Sequence, residues 1–247
     1  MQEHEVDLWT TRLFNHYLAS PLDSLLTAIG HPAANPAHPW ENWITMEILV
    51  VVIIFAVFGF LRSRLSVAKP GKLQITFEAL YNFIAGQAHD AVEHGSGKYV
   101  PFIGTLFFFI LFMNLIGIIP GFESPTVTPA VPCGLAVCVF LYYNYMGFRS
   151  HGIGRYLLHF AGPVWWLAPI MIPIELVSHI ARPLSLTIRL FANMFAGEKV
   201  TMTFLSLTFI AAPAVFMGLH VFVAFLQAFI FMLLTVIYVG GAVAHEE

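Results

Sequence analysis

Charge is what this chain has least of. Asp, Glu, Lys and Arg make up 10% of its 247 residues, hydrophobic residues make up 58%, and mean hydropathy is +0.79. Soluble domains carry about 25% charged residues. So little charge cannot cover a soluble surface, and the apolar runs are long enough to span lipid. A net charge of −3 gives no basic field for nucleic acid and none suited to an acidic substrate. Cysteine is almost absent: Cys133 and Cys138 share an apolar segment without metal-ligand company and say nothing about redox compartment. His31, His38, His89, His94 and His151 fall in polar stretches, and no pair has zinc-site context. Glycine-rich phosphate loops and nucleophile elbows are missing too. The acidic start, Met1 to Asp7, lacks the basic-then-apolar order of a signal peptide, so the first apolar span is expected to act as its own insertion signal.

What is present is hydrophobic length. Residues 1–43 are polar and rich in turn residues (His31-Pro-Ala-Ala-Asn-Pro-Ala-His-Pro39), as suits an outer amino-terminal segment. Ile44 to Leu61 is the first span, interrupted only by Glu47. Residues 74–94 mix Ile75, Phe77, Leu80, Tyr81 and Phe83 with Glu78, Asn82 and Gln87, the pattern of an interfacial helix. Tyr99 to Ile119 is a second span ended by Pro120-Gly121, and residues 131–148 a third. A short basic loop then leads to Gly162-Pro163. These divisions give three regions: 1–43; 44–162 with the first span, interfacial helix and a two-span hairpin; and 163–247.

Basic residues set the orientation. Arg62, Arg64, Lys69, Lys72, Lys98, Arg149 and Arg155 all follow span one or span three, which places those loops in the cytoplasm and the amino terminus outside. A plain hydropathy count of 163–247 would strand Arg182, Arg189 and Lys199 in an external loop. The alternative is one helix from about Val164 to Phe209, a break near Pro213, and a final span from about Gly218 to Ala244. The first would be about 68 Å long at 1.5 Å per residue, twice the ~30 Å hydrocarbon core, and so steeply tilted. The expectation is an all-α polytopic protein of about five crossings plus an interfacial helix, with a cytoplasmic carboxy terminus.

Helical phase supports the long helix. At about 100° per residue, with Arg189 set to zero, Glu175, Ser178, Arg182, Ser185 and Asn193 all fall within an arc of about 80°. Leu176, Leu184, Ile188, Leu190 and Phe191 flank them. On the last span His220, Gln227 and Tyr238 share one line, being separated by near-whole numbers of turns. Two helices with one polar seam each imply a polar path between them or toward a third partner. A guanidinium is always protonated, and at mid-bilayer it costs about 2.5–3.5 kcal/mol on insertion scales. Such a cost marks Arg189 as functional. It separates Glu175, toward the cytoplasmic end, from Glu198 and His220, toward the outer end. A fixed cation there repels hydronium, blocks a continuous leak and strips the proton from a carboxylic acid brought close. Its own stripe offers no near carboxylate, so the partner acid is expected on another protein.

Bland roles stand beside these. Arg182 at its depth also suits lipid headgroups, Glu198 beside Lys199 suits an interfacial pair, and His220 and Gln227 suit helix packing. Ser178 and Ser185 fit close helix approach, and Tyr238 an interfacial belt.

Pro173-Ile-Glu-Leu-Val-Ser178, Arg182-Pro-Leu-Ser-Leu-Thr-Ile-Arg-Leu-Phe-Ala-Asn-Met-Phe-Ala-Gly-Glu198 and Leu226-Gln-Ala-Phe-Ile-Phe231 resemble subunit a of the F-type ATP synthase. The resemblance covers essentially the whole chain in span order. It implies a stator of the membrane rotor, packed against a ring of c subunits and joined to peripheral-stalk b subunits, in an energy-transducing membrane such as the bacterial plasma membrane. It implies that Arg189 faces the ring carboxylate, Glu198 and His220 serve the outer half-channel, Asn193 and Gln227 neighbour the arginine, and Glu175 lies toward the inner path. Protons rather than sodium are the expected ion, no cofactor is implied, and the chain by itself is not expected to perform ATP chemistry. Where many relatives carry Asp, this chain has Gly117, with Asn114 nearby. Phase puts Glu198 about 180° from Arg189, so it is expected to face the last helix, where His220 could meet it. A secondary transporter is the competing class, but the internal repeat and paired broken helices of that class are not found here.

Overall fold

The computed structural model describes residues 8–28, 39–67, 69–92, 95–119, 121–152, 154, 156, 165–207 and 211–243. The acidic start, His31, His38, His94, Pro120, Arg155, the Gly162-Pro163 turn and the His245–Glu247 tail lie outside them. Among the described residues all regular structure is helical: α1 (Trp9–Ala28), α2 (Asn42–Ser63), α3 (Lys72–Ala91), α4 (Val100–Ile116), α5 (Ala130–His151), α6 (Ala168–Leu207) and α7 (Ala211–Val243). The chain is an all-α polytopic membrane protein. Helices α2 and α5 and the Val215–Val243 part of α7 are long and apolar enough to cross a membrane, and α4 is a shorter apolar helix.

Helices α2, α4 and α5 follow from apolar length and lie where the first three spans are expected. Helix α2 buries one narrow face through Met46 and Val50 and leaves Val52 and Phe55 open, as a lipid-facing helix does. Helix α3 covers the segment expected to be an interfacial helix, with Ile84 and Ala88 buried while Leu73, Ile75 and Tyr81 are exposed. Helix α1 had no counterpart in the sequence expectation. It is held by polar contacts, with Thr11 bonded to Thr45 at 2.8 Å, and with Asn15 Oδ1 accepting from the Trp40 backbone N–H at 3.0 Å.

The carboxy-terminal pair forms two long helices. Helix α6 has 40 residues, about 60 Å at 1.5 Å per residue, which exceeds the ~30 Å core unless the helix inclines. It contains Pro173 and Pro183. Helix α7 begins at Ala211, so the expected break near Pro213 is corrected: Pro213 lies in the first turn of α7. A proline is tolerated there because the first-turn N–H groups have no intrahelical partner. Helix α7 is the centre of the bundle and packs against α3, α4, α5 and α6. Its Ala224, Ala228, Phe231 and Met232 are fully buried, as are Phe107 and Ile110 of α4 and Leu190 and Met194 of α6.

Candidate ion-path site

Helix α6 has three faces. Leu186, Leu190 and Met194 form the packed one, at 2% exposure or less. Leu184 and Ile188, 58% and 55% exposed, belong to an open apolar face. Between them runs the polar seam, where Ser178, Ser185 and Asn193 are exposed and Glu175, Arg182 and Arg189 half-buried. The phased stripe therefore marks the border of the packed bundle.

Three residues of α7 meet this seam in antiparallel order. Tyr238 lies beneath Arg182, whose Cζ is 5.3 Å from the ring centroid. Gln227, 2% exposed, accepts a 2.8 Å hydrogen bond at Oε1 from Asn193 Nδ2. His220, 6% exposed, packs its ring on Gly197, where a Cβ would stand 3.3 Å from Nε2. Among the described residues, that buried Nε2 has no hydrogen-bond partner. Gly197 is thus the residue opposite His220, and Glu198 is half-buried beside it.

Arg189 lies between these levels. Its Nη2 donates to Ser185 Oγ at 3.2 Å, one turn back on the same helix. Arg182, by contrast, is paired with Glu175 at 3.5 Å. Among the described residues, Arg189 has no carboxylate partner.

A second polar cluster adjoins the Glu175 end of the seam and was not legible in the motifs. His179, 7% exposed, stands one turn from Glu175 on α6. Its Nε2 is 2.9 Å from Asn144 Oδ1 of α5. Tyr156 donates its hydroxyl to the same oxygen at 3.0 Å. Burial pushes the Tyr156 phenol above its ordinary range, with Arg182 pulling weakly the other way, so it keeps the proton it donates. The signal for His179 was its i+4 spacing from Glu175, just outside the polar arc.

A third cluster lies between α4 and α7. Asn114, fully buried, donates from Nδ2 to the Ala224 carbonyl at 3.4 Å and accepts from Thr126 Oγ1 at 2.9 Å. Ser124 bonds Thr126 at 2.7 Å and donates to the Met113 carbonyl at 2.9 Å. Gly117 belongs here: a Cβ on it would lie 2.6 Å from Ser124 Cβ and 2.8 Å from Ser124 N. The space beside Gly117 is filled by Ser124, through its Cβ and its backbone N and Cα.

Comparison with known proteins agrees with this architecture. The family described as ATP synthase A chain matches residues 44–240. The ATP synthase subunit a of Solibacter usitatus is 61% identical over 235 residues, 95% of this chain and 100% of that protein. That of Koribacter versatilis is 46% identical over 238 residues, 96% of this chain and 97% of its own length. That of Helicobacter hepaticus is 40% identical over 214 residues, covering 86% and 94% respectively. With the family match running from α2 to α7 and covering both polar seams, the chain belongs to the ATP synthase A chain family, subunit a of the F-type ATP synthase.

Proposed function

We propose that this proton-translocating subunit of the ATP synthase membrane sector offers two offset half-paths to a rotating c ring, and that Arg189 separates them. The observation that carries this reading is a half-buried guanidinium on the open border of α6, hydrogen-bonded to Ser185 and without a carboxylate among the described residues. A cation and a carboxylate about 4 Å apart attract by about 4 kcal/mol at an effective dielectric of 20. An arriving ring carboxyl is held ionised at that point and must take or release its proton on either side. Glu175, with Arg182, serves the inner path; Glu198 and His220 serve the outer one. Asn193 and Gln227 brace the two helices one turn from the arginine, Tyr238 seats Arg182, and Ser178 and Ser185 keep the ring-facing border small and polar. The open apolar residues Leu184 and Ile188 face the ring, and Val52 and Phe55 of α2 face lipid. The amino terminus lies outside and the carboxy terminus in the cytoplasm, the b subunits complete the stator, and the ion is the proton.

Arg189→Ala tests the reading. In inverted membrane vesicles carrying the whole complex, ATP-driven acidification should fall to background while the complex still assembles. Arg189→Lys should lose most of it, because a flexible ammonium replaces a fixed planar fork. Normal pumping by Arg189→Ala would refute the separation of paths by this residue.

A further inference from the structure

The His179 cluster has a hydrogen-bond direction that can be worked out atom by atom. Asn144 Nδ2 donates to the Phe140 carbonyl at 2.7 Å, one turn back on α5, which fixes the amide with Oδ1 toward α6. Oδ1 has no hydrogen and only accepts. It receives Tyr156 OH at 3.0 Å and His179 Nε2 at 2.9 Å, so Nε2 carries a hydrogen. The Tyr143 hydroxyl lies 3.4 Å from Nε2 and 3.5 Å from Nδ1, and since Nε2 is a donor, Tyr143 can give its hydrogen only to Nδ1.

The cluster then reaches the ion path through aromatic contacts. Tyr143 meets the His179 ring edge-on at 5.3 Å and the Tyr238 ring at 5.9 Å. Tyr238 is the ring beneath Arg182, and Arg182 is paired with Glu175. Glu175, His179 and Arg182 are spaced i, i+4 and i+7, so they follow one another on successive turns of the same side of α6. Pro183 removes the N–H that would have bonded the His179 carbonyl, so this turn of α6 has one fewer backbone restraint. The side-chain tie across to α5 stands where the helix itself is weakest.

We propose that His179 is a positioning residue of the inner path, whose Nε2–H bond to Asn144 sets Tyr143 and Tyr238 as the seat that keeps Arg182 on Glu175 and away from Arg189. This rests on the half-path reading above. A second mobile cation near Arg189 would compete for the arriving ring carboxylate, so the anchoring of Arg182 matters to turnover as well as to packing.

The experiment measures ATP-driven proton pumping per assembled complex in inverted vesicles for H179L, H179Q, R182Q and the H179L/R182Q pair. A glutamine keeps an N–H donor and leucine keeps only bulk. Loss of one net hydrogen bond corresponds to about a fivefold effect, so H179L should pump about fivefold more slowly, and H179Q should keep more than half of the normal rate. Because His179 acts through Arg182, adding H179L to R182Q should change pumping little. Independent, multiplied losses in the pair would overturn the proposal, as would normal pumping by H179L. If H179L does not assemble, H179Q decides: retained pumping supports the donor role, and loss of pumping or of assembly overturns it. Failure of the underlying reading is distinguishable, because it shows as pumping by the R189A complex.

Discussion

Gly117→Ala is the sharpest structural perturbation this chain offers. The added carbon would stand 2.6 Å from Ser124 Cβ, 2.8 Å from Ser124 N and 3.0 Å from Ser124 Cα. Carbon atoms rest about 3.5–4.0 Å apart, so residue 124 must retreat by about 1 Å. Two of the three obstructing atoms are backbone, and no rotamer change relieves them. Retreat would strain the Ser124–Thr126 bond at 2.7 Å and the Ser124–Met113 bond at 2.9 Å. Thr126 in turn supports Asn114, which holds α7 at Ala224. Overpacking costs about 1–3 kcal/mol, and each hydrogen bond lost about 0.5–1.5 kcal/mol. With both Ser124 bonds impaired the total is about 2–6 kcal/mol. The purified complex should release this subunit at a lower temperature in detergent, measured by size exclusion after graded heating. Gly117→Asp should be worse, since it adds a charge to the same closed space. A Gly117→Ala complex with unchanged thermal stability and pumping would show that residues 117 and 124 do not touch.

Two further outcomes follow from the α7 contacts. Gln227→Leu removes a 2.8 Å bond to Asn193 at a site only 2% exposed. Interhelical hydrogen bonds in membranes are worth about 0.6–1.7 kcal/mol, so pumping rates should fall between about threefold and twentyfold. The Asn193→Leu/Gln227→Leu pair should be no worse than the poorer single variant; additive losses would mean that the two residues act separately. Gly240→Ala places a Cβ 2.7 Å from the Ala91 carbonyl oxygen at the end of α3. It should loosen α3 from α7 at a cost of about 1–3 kcal/mol, read as earlier proteolysis of α3 in membranes. Unchanged protease resistance would remove that contact.

The sequence was most legible where one physical rule acts alone. Spans α2, α4 and α5 follow from apolar length, and their ends fall within a few residues of expectation because charge and glycine stop them abruptly. The seam on α6 was readable from phase, since only a helix keeps Glu175, Arg182, Arg189 and Asn193 in one arc. Helix α1 was hidden because Trp9–Ala28 is weakly apolar, contains Pro21 and is held by Thr11 and Asn15, whose partners are set by tertiary contact. Pro213 misled because a proline breaks a helix interior and is compatible with a first turn, and sequence alone does not say which position it holds. His179 was missed for a related reason: phase places it beside the seam, but its partner Asn144 lies 35 positions away on another helix. Period identifies faces, and only packing identifies partners.

The position of the seam explains why so costly a charge is tolerated. Were Arg189 at the phase of Leu190, it would be fully buried among apolar side chains and need a paired carboxylate within the chain. Were it at the phase of Ile188, on the open face, its neighbour one turn back on α6 would be the apolar Leu184 in place of Ser185. At the border it keeps Ser185 on its own helix, with the Asn193–Gln227 pair one turn further on. Its other side meets no carboxylate among the described residues, as the proposed exchange with an arriving ring carboxyl requires. Arg182, only two turns away, is held by Glu175 and Tyr238 and cannot serve that purpose. Two guanidiniums on one stripe thus stand in different surroundings: Arg182 is anchored within the chain, and Arg189 is the one that the proposed reading gives to a partner from outside it.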